Sequence, residues 1–379
     1  MIIGIDASHA NKAQRTGVEE YCFRIIQEFK KNIPSHVKVV LYSPVELLPE
    51  LAVVPNNWEV KILHWPLKKL WSQFRLAFEL WKNPPDVYFS TGQLLPFFSP
   101  KNSVVTVHDS AFEAHPSAYR FFGRQYLKWM NRLIIKKAKI ILTSTEFNKQ
   151  EMLKFYSYHS TCHSDRVQRA EEFLINKIKI IPLAFDNQKY NLQAPTMENT
   201  YGEYILSIGR LEEKKNTKRI VEAFNILKKQ LPNLKLILVG NSGAGFEEVQ
   251  AAIEQSDYKK DIICPGFMSS QQLVSILKQA KVFVFPSLYE GFGIPVLEAL
   301  AVGTPVVVSD IPALKEIGGQ AVEYADPLSP QQIAFKIYTL MSDVSLREQK
   351  ITLGVELTKQ YTWSKTAEKT WNILSDVLL

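Results

Sequence analysis

The chain has 379 residues, 46% hydrophobic and 22% charged, which is the composition of an ordinary globular protein and long enough for two domains. No apolar run approaches the roughly 18 residues of a membrane-spanning helix, and the N-terminus MIIGIDASHA has no basic region of a signal peptide. The net charge of +7 admits anionic partners. No recognition motif or Arg-rich segment supports nucleic acid, so a nucleotide-bearing small molecule and an anionic membrane surface rank ahead of it. Cys22, Cys162 and Cys264 are too far apart for redox or metal spacing, which suits a reducing cytoplasm.

Ile2 to Ile5 is a predicted buried strand, followed by a loop with Arg15, Thr16 and Gly17, then a helix from about Val18 to Lys31. A strand, a glycine-containing loop and a helix N-terminus can receive a phosphate, although one glycine is a weak signal. Strands are predicted at 37–42 and 58–63. In residues 65–85, Leu70, Trp71, Phe74, Phe78 and Trp81 recur at helical spacing among basic residues. Such a helix could lie on a membrane or pack on the sheet, and apolar stripes at this period usually mark a core face. A strand at 86–90 follows, then one at 104–107 whose carboxyl end delivers His108 and Asp109. Ligands of open α/β sheets bind at such ends, where a histidine can donate to a sugar hydroxyl or shuttle a proton.

Residues 138–143 form another strand, with an N-cap and early carboxylate at 144–146. The polar segment 155–170 holds His159, Cys162 and His163. It lacks the second ligand pair of a zinc site, so an insertion or irregular helix is preferred. Lys177 to Pro182 is the last strand of this half, and 187–200 is the predicted linker.

The strand–helix rhythm then restarts. A strand at 204–208 ends in GRLEEKKN, where Arg210 and Lys215 can reach a diphosphate. The strand at 234–239 ends in Gly240, and the strand at 261–264 leads to Phe267, beside which a nucleotide base can rest. Val282 to Val308 is the most informative stretch: an apolar strand, a loop with Glu290, Gly291, Phe292 and Gly293, a helix from Ile294 and Pro295 through Glu298, and another strand. Backbone N–H groups at that helix start suit an anion, and the two glutamates suit hydroxyls of a sugar or ribose.

The segment EGFGIPVLEALAVGTPVV, with seven residues between Glu290 and Glu298, resembles the signature of the retaining glycosyltransferases of family 4. IGIDASHANKAQRTGVEEY resembles the start of its bacterial mannosyltransferase-like members, departing at Glu19 and Glu20, and TWSKTAEKTW resembles the terminal helix that returns to the first domain. The resemblance implies an α/β chain of the GT-B fold: two doubly wound Rossmann-like domains facing across a cleft. The expected domains are residues 1–186 on the acceptor side and 187–360 for the nucleotide-sugar donor, with 361–379 crossing back.

The resemblance also implies roles. His108 contacts the donor sugar, Arg210 and Lys215 clamp the diphosphate and stabilise the leaving group, and Glu290 lies near the sugar. Gly17 approaches diphosphate or acceptor, and Glu298 approaches the ribose. Asp109, Gly240, Phe267, Gly291, Phe292, Gly293 and Ile294 complete the expected binding set. No Asp-x-Asp pair offers a metal site, so the expectation is a retaining, metal-independent transferase without cofactor. It would pass a hexose, with mannose favoured by the N-terminal resemblance, from a nucleotide-diphosphate sugar to a glycan or lipid-linked glycan in surface polysaccharide assembly. Its expected location is the cytoplasm, with peripheral contact at an anionic inner membrane face left open. Two alternatives stand: an epimerase or phosphorylase on the same fold, or a silent glycan-binding protein.

Overall fold

The computed structural model describes residues 1–67, 70–116, 119–156 and 172–378. They divide into two units: Met1–Pro116, Arg120–Ala184 and Trp363–Leu379 in one, and chiefly Phe185–Thr362 in the other.

The first unit is built on seven strands: β1 (Ile2–Asp6), β2 (Lys38–Ser43), β3 (Trp58–Ile62), β4 (Val87–Ser90), β5 (Ser103–Thr106), β6 (Ile140–Thr143) and β7 (Ile178–Ile180). They lie in the order β3-β2-β1-β4-β5-β6-β7, with every neighbouring pair parallel. Such a sheet needs cover on both faces, which is why all four residues of β4 and of β5 are buried. The helix Gly17–Asn32 covers one face through Tyr21, Cys22, Ile25, Ile26 and Phe29. Its start is fixed by the Glu19 carboxylate, which accepts the Thr16 N–H at 2.8 Å, and Glu20 pairs with Arg24 at 2.6 Å. The two acids that depart from the family pattern are thus held in local structure. The terminal helix Trp363–Asp376 joins this unit: Thr366 donates to the Pro182 carbonyl at 2.9 Å, and the Trp363 ring lies 6.2 Å from that of Tyr21.

The second unit repeats the plan with β8 (Tyr204–Ile208), β9 (Lys235–Val239), β10 (Ile262–Gly266), β11 (Val282–Phe285), β12 (Val306–Ser309) and β13 (Glu323–Ala325). Their order is β10-β9-β8-β11-β12-β13, again parallel throughout. Val282, Phe283, Val284 and Phe285 are all buried, each worth about 1.5–3 kcal/mol of transfer free energy. In both sheets the winding direction reverses, between β1 and β4 and between β8 and β11. Strand-end loops part at such a point and leave room for a ligand.

One expectation needs correction. The 65–85 stripe does not bury its aromatic side: the helical part runs Ser72–Leu76 and Ala77–Lys82, Trp71 packs inward, and Leu70, Phe74, Phe78 and Trp81 are exposed. The core is filled from the other side by Leu76, Ala77 and Leu80. Spacing alone reports a shared face, not which way that face turns. His159, Cys162 and His163 lie outside the described residues.

Candidate active site

The reversal point of the second sheet gathers the residues expected to carry chemistry. The chain leaving β8 forms a short 3-10 turn, Glu213–Lys215, and then Asn216 in the left-handed conformation at φ 59°. Asn216 is buried and donates through Nδ2 to the carbonyls of Pro286, at 2.9 Å, and Pro327, at 2.6 Å. It also precedes the helix Thr217–Lys228. That clamp ties the loop after β8 to the loop after β11, and Leu288 N–H adds a bond to the Lys214 carbonyl at 2.9 Å.

The clamp sets Lys215 against Glu290. Lys215 Nζ lies 2.5 Å from Glu290 Oε1 and 5.1 Å from the Phe285 ring centroid. Glu290 is 8% exposed, so the carboxylate is largely removed from water and the pair's charge is less screened than at the surface. Arg210 stands exposed at the end of β8, and it forms no ion pair or hydrogen bond among the described residues. An exposed fork on the same strand-end loop as a paired ammonium suits a diphosphate: one group can bind the oxygens bidentately and the other neutralise charge.

Gly240 is required for the backbone approach here. Its φ is 144°, and a Cβ on it would lie 1.9 Å from the Gly209 carbonyl oxygen. The ends of β8 and β9 therefore meet backbone to backbone, and Gly209 N–H donates to the Val239 carbonyl at 2.9 Å.

After β11, Gly293 takes φ 115° and opens the helix Ile294–Ala301, with Pro295 in its first turn. In this first turn Pro295 has no N–H and the Val296 N–H bonds the Gly293 carbonyl at 3.0 Å, which leaves the Ile294 N–H to face an anion. Glu298 lies half-buried one turn further on. Phe292 is buried with its ring 5.9 Å from Tyr361 in an edge-to-face pair. Its side chain holds the loop, and a ligand would meet the loop's backbone. Gly291 and Ile294 are half-buried, and Phe267 beyond β10 is exposed.

In the first unit, β5 carries His108 to the sheet's reversal region. His108 Nε2 lies 3.1 Å from the Thr91 carbonyl. A carbonyl only accepts, so Nε2 bears the proton and Nδ1 is the acceptor. Burial pushes the ring's pKa down to about 4, against the Thr91 bond, which favours the charged form. The imidazole is therefore neutral near pH 7. Its ring meets Tyr21 edge-on at 5.0 Å, and its own carbonyl accepts from Asn148 Nδ2 at 2.9 Å. The expectation that this ring donates to a sugar hydroxyl changes in one respect: the donor is spent on Thr91, leaving Nδ1 to accept. Asp109 closes a local turn by accepting the Ala111 N–H at 3.0 Å. Gly17 begins its helix in open space, and a methyl group added at its Cα would meet nothing within 4 Å. Asn216 and Thr91 are not singled out by sequence reasoning; the Asn after Lys215 is visible there, but its two carbonyl partners are 70 and 111 residues away.

Among the described residues no group of three or more His, Cys, Asp or Glu could hold a metal ion, and no helix is long and apolar enough to cross a membrane.

Two parallel, doubly wound units with ligand-type loops at their reversal points define the GT-B class. Solved structures with this fold align over nearly the whole chain. WaaG, a glycosyltransferase involved in lipopolysaccharide biosynthesis, has a TM-score of 0.70 at 16% identity, covering 98% of this chain and 99% of that one. Alr3699/HepE of Anabaena in complex with UDP-glucose has a TM-score of 0.70 at 15% identity, covering 99% and 100%. At such identities the likeness establishes the fold alone. Residues 189–353 match the family model of the glycosyl transferases group 1, so the second unit carries a domain of that family. Among curated proteins the chain is similar to the O-antigen chain mannosyltransferase B of Escherichia coli, 28% identical over 281 residues, 72% of this chain and 70% of the relative.

Proposed function

We propose that the protein is a retaining, metal-independent hexosyltransferase that moves a sugar, mannose in the favoured case, from a nucleotide-diphosphate donor to a glycan or lipid-linked glycan during surface polysaccharide assembly. The observation that carries this reading is the Lys215–Glu290 pair at 2.5 Å at the β8/β11 reversal, with the exposed Arg210 on the same strand-end loop as Lys215. As the anomeric bond breaks, negative charge builds on the diphosphate, and fixed cations there act without reorganisation. Arg210 and Lys215 hold the leaving group, aided by Gly240 and the N–H groups of Gly291 to Ile294. Glu290 orients the Lys215 ammonium and accepts from sugar hydroxyls, Glu298 accepts from the ribose, and Phe267 carries the base. Neutral His108 accepts a sugar hydroxyl through Nδ1, while Gly17 and Asp109 border the sugar's other contacts. The sugar carried by the relative from Escherichia coli, as its name states, favours mannose. The reading needs no cofactor and no nucleic-acid partner, and in it the enzyme works peripherally at the inner face of the membrane, where lipid-linked acceptors are anchored.

The test is nucleoside diphosphate release from a panel of GDP-, UDP- and ADP-sugars, with and without EDTA. Release from one donor, undiminished by EDTA, is the expected result. Loss in EDTA would overturn metal independence. Release from no donor, even with mixed glycan acceptors, would overturn transfer and favour a silent binder. The anomeric configuration of the product decides retention.

A further inference from the structure

The N-terminal unit turns an aromatic surface outward that the transfer reaction does not use. Phe74, Phe78 and Trp81 stand at i, i+4 and i+7 on one helix, 57%, 52% and 68% exposed. A second helix, Phe121–Lys137, exposes Phe122 at 86% together with Phe121, Tyr126 and Trp129, while its Met130 and Ile134 fill the core. Between the two helices lies a loop with exposed Phe97 and Phe98.

These three elements are joined side by side. Gln73 donates to the Leu95 carbonyl at 3.1 Å and accepts the Phe97 N–H at 3.0 Å. Lys137 donates to the Phe97 carbonyl at 2.6 Å, and the Leu95 N–H meets Met130 Sδ at 3.3 Å. Gln73 also bonds the Tyr126 hydroxyl, which brings the exposed row Phe122, Tyr126 and Trp129, at i, i+4 and i+7, beside the first helix. Isolated exposed rings are normal, whereas a contiguous set marks a binding surface.

Charge names the occupant. The helix Phe121–Lys137 carries five basic residues and no acid; Lys128 pairs with Glu113 at 2.7 Å and Arg124 is half-buried, which leaves Arg132, Lys136 and Lys137 as its exposed cations. On the first helix the one acid, Glu79, is taken by Lys61 and Arg75, and Lys82 is exposed at its end. Rings that can enter an apolar layer, set among cations of one sign, match the interfacial zone of an anionic bilayer. A nucleic acid shares the sign but offers no apolar interior for a ring as bare as Phe122.

We propose that this face is a docking surface for an anionic lipid bilayer, seating rings from both helices at headgroup depth. The inference deepens the peripheral location suggested above and is independent of the transfer chemistry, so vesicle binding and donor turnover can fail separately.

The test is sedimentation of the full chain with phosphatidylcholine vesicles, with and without phosphatidylglycerol, at low and high salt. Binding to the anionic vesicles alone, weakened by salt, is expected. The variant Phe78→Ser/Trp81→Ser/Phe122→Ser changes only exposed positions and should keep the wild-type melting temperature while losing about tenfold or more of this binding. Lys82→Glu/Lys136→Glu should also weaken it by about tenfold or more, at roughly 1 kcal/mol per charge removed and again per charge reversed. Equal binding to neutral vesicles, or wild-type binding by both variants, would overturn the proposal. So would absence of vesicle binding with self-association that the ring variant abolishes, because the face would then join copies of this chain.

Discussion

Lys215 Nζ and Glu290 Oε1 lie 2.5 Å apart although 75 residues separate them in the chain. Each comes from a loop at the carboxyl end of a strand, and β8 and β11 are neighbours at the reversal of the sheet. The pair is the meeting point of two loops, and the chemistry assigned to either residue depends on the other.

Lys215→Ala and Glu290→Ala should each lower kcat/KM for transfer by about 2–4 kcal/mol of transition-state stabilisation, the scale of a lost oxyanion donor. Their effects should be strongly non-additive, since each single change already breaks the pair. Steady-state kinetics of the two single variants and the double variant check this. Wild-type rates in either single variant would remove that residue from the site.

His108 makes stability pH-dependent. Its folded pKa, about 4, is below the ordinary value near 6.5, so the unfolded chain binds more protons between these values. Its contribution is complete above about pH 6.5 and falls as pH drops toward 4, by roughly 3 kcal/mol in all. Urea unfolding of wild type and His108→Gln across that range should show a steeper acid loss for wild type. Parallel curves would contradict the neutral buried ring. His108→Ala should also reduce transfer more than nucleotide binding.

Gly240 and Gly17 separate backbone need from ligand need. Gly240→Ala drives a methyl into the Gly209 carbonyl at a positive φ and should cost about 2 kcal/mol or more of stability. Gly17→Ala meets nothing within 4 Å, so its melting temperature should be unchanged or slightly raised. If Gly17 admits diphosphate or acceptor, the same variant should lose transfer. Thermal melts and kinetics on both proteins test the contrast, and full activity in Gly17→Ala would remove that position from the site.

Asn216 acts through Lys215 as a positioning residue. Asn216→Gly keeps the left-handed turn but deletes both bonds to the Pro286 and Pro327 carbonyls. It should cost about 1–3 kcal/mol of stability through the buried acceptors left unpaired. Below its melting temperature it should lower kcat more than it raises KM, because a misplaced ammonium is felt most in the transition state. A KM effect alone would assign Asn216 to binding.

The two-unit, parallel-sheet plan was legible because its signals are local. VFVF at β11 is apolar at every position, as a strand covered on both faces must be, and Gly293 with Pro295 marks a helix start by rules of φ and missing N–H groups. Glu290, Lys215 and Arg210 were legible as strand-end residues for the same reason. The outward turn of Phe74, Phe78 and Trp81 was not, since periodicity gives a common face without its direction. Nor was the commitment of His108 Nε2 to Thr91, which follows from a contact across neighbouring strands.

By itself, then, the amino-acid order determined most of the strands and helices before residue 319, where those strands end to within about two residues, and which charged or glycine residues stand at those ends, because these depend on propensity, periodicity and caps within a few residues. Only the tertiary structure decided that Lys215 meets Glu290, that Asn216 locks their loops, that Gly240 must admit the Gly209 carbonyl, and that His108 is neutral. Those facts depend on parallel pairing of strands far apart in the chain and on burial, which no local pattern encodes.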